Sequence, residues 1–226
     1  QDQLLISLLS PARLLEMTRY FTLFDKKAGK IVARYQQVFG IKALIERVTS
    51  FDEKGARNTG VIWHTTGSGK SFTMVFLAKA LIWQKELAKC RIVVVTDRVD
   101  LEAQLARTFV SGGALSDRDK NDSIATTGRR LAQQIGHGNE RIIFSIINKF
   151  GTAIELPECF NDSPDIIVLV DESHRSQNGE NNIRMQQTLP KAAYVGFTGT
   201  PLLKDNKTEN KFGNIIHSYT MQQAVE

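Results

Sequence analysis

The sequence predicts an α/β chain folded around a doubly wound parallel sheet and preceded by a helical lead-in. Three observations carry that prediction. From Gly60 onward, short apolar runs alternate with helical patterns, as strand, crossover helix, strand units do. The runs are almost continuously apolar rather than alternating, as strands covered on both faces require. A glycine-rich loop stands between the first run and the helical pattern that follows it, and open α/β sheets place ligands at such strand ends.

The lead-in, residues 1–33, starts a helix at Ser10-Pro11: a serine N-cap, then proline at the first helical position. Leu14, Leu15, Met17, Thr18 and Phe21 recur at helical spacing. Asp25-Lys26-Lys27-Ala28-Gly29-Lys30 breaks the pattern and concentrates positive charge. A second helix is predicted from Arg34 to Ser50, with Val38, Ile41, Leu44, Ile45 and Val48 on one face, and Asn58-Thr59-Gly60 ends the region as a turn. Strands are predicted at Val61–Trp63, Ile92–Thr96, Ile142–Ile147, Ile166–Val170 and Tyr194–Thr198. Helices are predicted between most of them, at Lys70–Leu87, Val99–Phe109, Arg129–Gln134 and Ile183–Leu189. The polar, glycine-containing stretch Ser111–Gly128 reads as a mobile loop.

Composition narrows the class. The 226 residues carry 29 basic and 24 acidic side chains, a net charge of +5, with 42% hydrophobic and 23% charged residues. That balance excludes a disordered tail, a collagen-like fibre and a coiled-coil rod. A domain takes roughly 100–200 residues, so one large domain, or one domain with an appendage, is expected. No apolar run approaches the roughly 20 residues that cross a bilayer. Cys90 and Cys159 cannot build a disulfide framework and read as core residues, which suits a reducing cytoplasm. The basic excess permits a polyanionic partner without naming one. The chain opens at Gln1 without an initiator Met and ends at Glu226 within a helical pattern, so it reads as a segment of something longer.

Two motifs carry chemistry. Thr65-Thr66-Gly67-Ser68-Gly69-Lys70-Ser71 follows a strand and opens a helix, the context a phosphate-binding loop needs. Gly67 and Gly69 let the backbone turn tightly and present N–H groups to phosphate oxygens. The helix start adds the positive end of its dipole. Lys70 is placed to reach the β- and γ-phosphates, and the Ser71 hydroxyl to ligate Mg²⁺. His64 stands where the strict pattern has its first glycine. The second motif, Asp171-Glu172-Ser173-His174, closes the strand Ile166–Val170. There Asp171 suits Mg²⁺ and Glu172 suits the attacking water. His174 reads as a hydrogen-bonding relay, since no Cys or His partners lie at zinc spacing.

Together these residues resemble the first motor domain of superfamily 2 helicases and translocases, a RecA-like P-loop NTPase fold. Thr66–Ser71 looks like motif I, Asp171–His174 like motif II, and Thr198-Gly199-Thr200-Pro201 like motif III. The longer stretches His64–Ser71, Asp171–Gln177 and Gly196–Leu202, with Phe212-Gly213 and His217-Ser218-Tyr219-Thr220 after them, resemble the R (restriction and translocation) subunit of type I restriction endonucleases. The resemblance runs from about Arg34 and implies that residues 34–226 form an ATP-binding motor domain. It implies that Thr66, Gly67, Ser68, Gly69, Lys70 and Ser71 cradle ATP, that Ser71 and Asp171 hold Mg²⁺, and that Lys70, Asp171, Glu172 and His174 act in hydrolysis. Arg34-Tyr35-Gln36-Gln37 resembles the adenine-reading Q motif, with Gln37 or Gln36 as the contact; Gln37 is the first choice. Thr96 and Arg98 resemble motif Ia, and Ser145 with Asn148-Lys149 motif Ib, which in the family touch the DNA backbone. Thr198 and Thr200 would couple the nucleotide to the DNA groove.

The resemblance also implies partners: double-stranded DNA, the specificity and methyltransferase subunits of a type I complex, and a second motor domain and a nuclease in the same polypeptide, in a bacterial or archaeal cytoplasm. The second motor domain would supply the arginine fingers of hydrolysis. Glu209-Asn210-Lys211 matches the nuclease pattern E-x-K but lacks a suitably spaced Pro-Asp, and reads as surface. A DNA-repair or RNA helicase of the same superfamily is the nearest alternative. A P-loop phosphotransferase and a nucleotide-gated binding module without turnover are more distant ones.

Overall fold

The computed structural model describes residues 10–25, 29–171, 179–199 and 212–225. In chain order the elements are α1 (Pro11–Tyr20), β1 (Thr22–Asp25), β2 (Gly29–Val32), α2 (Tyr35–Thr49), β3 (Gly60–His64), α3 (Lys70–Trp83), β4 (Arg91–Thr96), α4 (Val99–Ser111), α5 (Lys120–Ser123), α6 (Gly128–His137), β5 (Ile142–Ile146), α7 (Lys149–Ala153), β6 (Ile166–Val170), α8 (Gly179–Thr188), β7 (Ala193–Thr198), β8 (Ile215–Tyr219) and α9 (Met221–Val225). Six strands form one sheet in the order β5-β4-β6-β7-β3-β8, and every pairing in it is parallel.

The strand residues explain that sheet. Val and Ile dominate β4 and β6, where branched side chains pack well on a pleated surface. Alternate residues serve opposite faces. Ile92 and Val94 of β4 join one core with Ile167 and Leu169 of β6. Val93 and Val95 join the other with Ile166, Val168 and Val170. Helices α2, α3 and α4 cover the first face, through Ile41, Leu44, Phe76 and Phe109 among others. Helices α6, α7 and α8 cover the second, through Leu131, Ile135, Phe150 and Met185. The predicted two-sided parallel sheet is thereby present, and all five predicted strands lie within one residue of their expected ends.

Three local readings change. The lead-in is not purely helical: α1 forms with the Ser10 cap, its Oγ accepting from the Arg13 amide at 3.4 Å, but β1 and β2 follow as an antiparallel pair. Phe21, Leu23 and Ala33 from this region are buried in the same core as α2 and α3. The stretch predicted as a loose loop carries α5, and the Ala125 amide donates to Phe144 O at 2.9 Å, docking Ile124 and Ala125 beside β5. Finally β8, absent from the predicted strands, pairs with β3 at the sheet edge.

One buried cation ties the opposite end of the sheet together. Arg57, 4% exposed, donates from Nε to Pro164 O (2.6 Å), from Nη1 to Val48 O (3.0 Å) and from Nη2 to Asp165 (3.0 Å). Both cysteines are buried, and burial pushes the Cys90 thiol up to about 11 and Cys159 to about 12. They are core groups, as expected. Among the described residues, no helix is long and apolar enough to cross a membrane.

Candidate active site

The site gathers at the carboxyl ends of three neighbouring strands, β3, β7 and β6. From β3 the chain enters the loop Thr65–Gly69. Gly67 and Gly69 both adopt positive φ (81° and 85°), the left-handed region that a side chain disfavours. The Ser68 amide donates to Thr65 O at 3.1 Å and closes the turn. Gly69 caps α3, whose first residues are Lys70 and Ser71. The loop therefore delivers both side chains on the first turn of a helix, where backbone N–H groups and the helix dipole favour an anion. Thr66 and Gly67 are exposed, and Lys70 and Ser71 are half-buried. The Ser68 hydroxyl is buried without a hydrogen-bond partner, a donor left over inside the cradle.

Strand β7 delivers Thr198, fully buried, and then Gly199. The Trp63 indole donates to Gly199 O at 3.2 Å. A Cβ at Gly199 would stand 2.8 Å from Thr66 Oγ1 and 3.3 Å from Lys70 Nζ, so any larger residue makes the loop side chains shift. Strand β6 delivers Asp171, whose amide donates to Val95 O at 2.9 Å. Asp171 starts two strands from the loop, about 10 Å across the sheet. A hydroxyl at Ser71 and a carboxylate at Asp171 are hard oxygen donors, the set that suits Mg²⁺ retaining several waters. Among the described residues no cluster of three or more His, Cys, Asp or Glu could hold a metal by itself. Glu172, His174 and Thr200, like Glu209 and Lys211, lie outside the described residues.

The two glutamines of α2 have different surroundings. Gln37 is already engaged: its Oε1 accepts from the Arg34 amide (2.8 Å), and its Nε2 donates to Gly69 O (3.2 Å) and Thr73 Oγ1 (2.9 Å). It braces the loop from behind. Gln36 is 1% exposed, and neither its Oε1 nor its Nε2 has a partner. An unpaired buried amide costs about 1–3 kcal/mol, so Gln36 is the one with hydrogen bonds to give.

The structure also holds a pair that sequence reading missed. His64 Nε2 lies 3.0 Å from His217 Nδ1, joining the end of β3 to β8. Burial, then His217, then Lys70 press the His64 pKa down to about 4, and burial lowers that of His217. Both rings are therefore neutral near pH 7. The only hint in the sequence was a histidine where the loop pattern has glycine.

The family model of the SWI2/SNF2 ATPases matches residues 36–226, most of the chain. The chain belongs to the SWI2/SNF2 ATPase family. This ATPase chain is similar along its whole length to the HindI endonuclease subunit, a type I restriction enzyme subunit from Haemophilus influenzae, with 39% identity over 247 residues. It is 35% identical over 230 residues, 99% of its length, to the putative type I restriction enzyme MjaIXP endonuclease subunit of Methanocaldococcus jannaschii. It spans only 23% and 21% of those two relatives. In fold it resembles the UvsW helicase of bacteriophage T4, with a TM-score of 0.61 and 18% identity over 92% of this chain and 67% of that one.

The remaining candidates of this SWI2/SNF2 chain lie at the ends of β4 and β5, and most turn inward. Thr96 is 2% exposed and its hydroxyl donates to Arg98 O at 3.0 Å. Ser145 is fully buried, its hydroxyl donating to Ile146 O at 3.1 Å. Lys149 Nζ stands 2.8 and 3.1 Å from the two carboxylate oxygens of Glu102, with side-chain exposures of 12% and 5%. Within the chain, the hydroxyls of Thr96 and Ser145 serve the local backbone and the Lys149 ammonium closes a buried ion pair. Arg98 alone of the four is open, 60% exposed at its side chain, with Asp97 at 3.8 Å.

Proposed function

We propose that this chain is the ATP-binding first motor domain, residues 34–226 behind the lead-in, of a type I restriction endonuclease R subunit that couples ATP hydrolysis to movement along double-stranded DNA. One observation carries the reading: loop, Gly199 and Asp171 converge from three adjacent parallel strands, with Lys70 beside Gly199. Similarity along nearly the whole of this chain to a segment of type I endonuclease subunits supports it.

In this reading the loop amides, the Ser68 hydroxyl and Lys70 bind the phosphates of ATP. Gln36 reads adenine, donating to N7 and accepting from the exocyclic amine, while Gln37 holds the loop in place. Ser71 and Asp171 hold Mg²⁺, which when bound neutralises the charge that develops between the β- and γ-phosphates. Glu172 orients the attacking water and His174 relays from it. Thr198 and Thr200 feel the γ-phosphate through the contact of Gly199 with the loop. Arg98 meets the DNA backbone. The second motor domain, the nuclease and the specificity and methyltransferase subunits complete the machine in a bacterial or archaeal cytoplasm.

Lys70→Ala in the complete subunit is the test. Triplex displacement reports duplex translocation without unwinding. The substitution is expected to abolish ATP-dependent displacement; displacement at the wild-type rate would refute the mechanism.

A further inference from the structure

Strand β3 ends on a residue that the strict phosphate-loop pattern fills with glycine. His64 is fully buried, its Nδ1 has no partner, and its Nε2 makes the 3.0 Å bond to His217 Nδ1. The surroundings pin both rings. A Cβ on Gly40 of α2 would stand 3.4 Å from each of them. The Tyr219 ring lies 6.2 Å from His64 and edge-on, 6.1 Å from the Tyr35 ring. The next residue is tied to the same strand: the Thr65 amide donates to Tyr219 O at 2.9 Å, and its hydroxyl to Met221 Sδ at 3.7 Å. The root of the loop is thus fastened to β8 and its continuation at two consecutive residues. The His64–His217 bond adds a side-chain tie, which glycine at position 64 could not make, to the backbone pairing of β3 with β8.

We propose that His217 is a positioning residue for nucleotide binding: through its hydrogen bond to His64, strand β8 fixes the root of the phosphate loop so that the loop amides and Lys70 stand in register for the phosphates. The inference rests on the reading of this loop as an ATP site. One proton lies between two neutral rings, so one nitrogen donates and the other accepts. Removing the nitrogen of His217 leaves a buried imidazole with both nitrogens unpaired. With the ring pinned by its surroundings, it can regain a partner only if the end of β3 shifts, and that movement carries Thr65 with it. The cost falls on the loop and therefore on ATP affinity. In His217→Asn, the side-chain amide takes the place of Nδ1 and keeps the bond.

The test is the affinity of the 226-residue chain for Mg·ATP, measured by equilibrium titration alongside the thermal unfolding midpoint. His217→Phe, which keeps the ring volume, is expected to bind about tenfold more weakly, and His217→Asn to bind like the wild type. Wild-type binding with unchanged affinity in His217→Phe, or equal weakening in the Asn variant, overturns the inference alone. No binding by the wild-type chain overturns the ATP reading and the inference with it. If His217→Phe fails to fold, the ¹⁵N imidazole signals of the wild-type chain decide. Mg·ATP must shift the two nitrogens that share the proton, and signals that stay in place refute the coupling.

Discussion

Lys149 carries a positive charge just past β5, where the sequence reading gave it to a DNA phosphate. In the fold it neutralises Glu102, and both side chains are largely buried. Removing one partner of such a pair strands the other charge. Lys149→Met is therefore expected to lower stability by about 3–5 kcal/mol in urea denaturation, an effect that a solvated DNA contact would not produce. The residues proposed to bind phosphate were legible because their pattern is local: Gly67, Gly69, Lys70 and Ser71 are consecutive or nearly so in the chain. Lys149 and Ser145 were not, because their partners and burial depend on the tertiary fold. The partners of Gln37 were hidden for the same reason. Nothing in Gln36-Gln37 says which amide the loop will claim 32 residues later.

At the scale of elements, long apolar runs were read well and marginal ones were missed. Strands β6 and β7 are buried along their whole length and announced themselves. Strand β8 sits at the sheet edge with Ser218 exposed and its other residues half-buried, so its apolar signal is diluted. The β1–β2 pair is built from two four-residue strands, too short for a period to emerge. Yet β8 supplies His217 and the acceptor for Thr65, so the weakest strand signal belongs to an element that borders the site. The contact between the end of β7 and the loop has its own test. Gly199→Ala places a methyl 2.8 Å from Thr66 Oγ1, and the loop must yield. ATP affinity is expected to fall by about tenfold or more, with the unfolding midpoint little changed. Unchanged affinity would show that β7 and the loop are not in functional contact.

For the whole molecule, the sheet order places the described strand-end candidates along one edge. The phosphate loop stands near one end, Gly199 and Asp171 follow, and the ends of β4 and β5 lie beyond. Two cores hold that edge rigid from opposite faces, which is what a preorganised phosphate site requires. The sequence foresaw this layout because parallel strands put all their carboxyl ends on one side. It did not foresee that, of the two basic candidates at the far end, Lys149 is spent within the fold and Arg98 is left open. The net charge of +5 is thus a poor guide to where a polyanion would sit. The central claim, that these residues form the nucleotide-binding half of a two-domain motor, is tested most directly by titrating Mg·ATP into the 226-residue chain while following phosphate release with and without duplex DNA. Saturable binding that Lys70→Ala abolishes, with slow release that DNA does not raise, is the predicted result. Rapid DNA-stimulated release, or no binding at all, would contradict it.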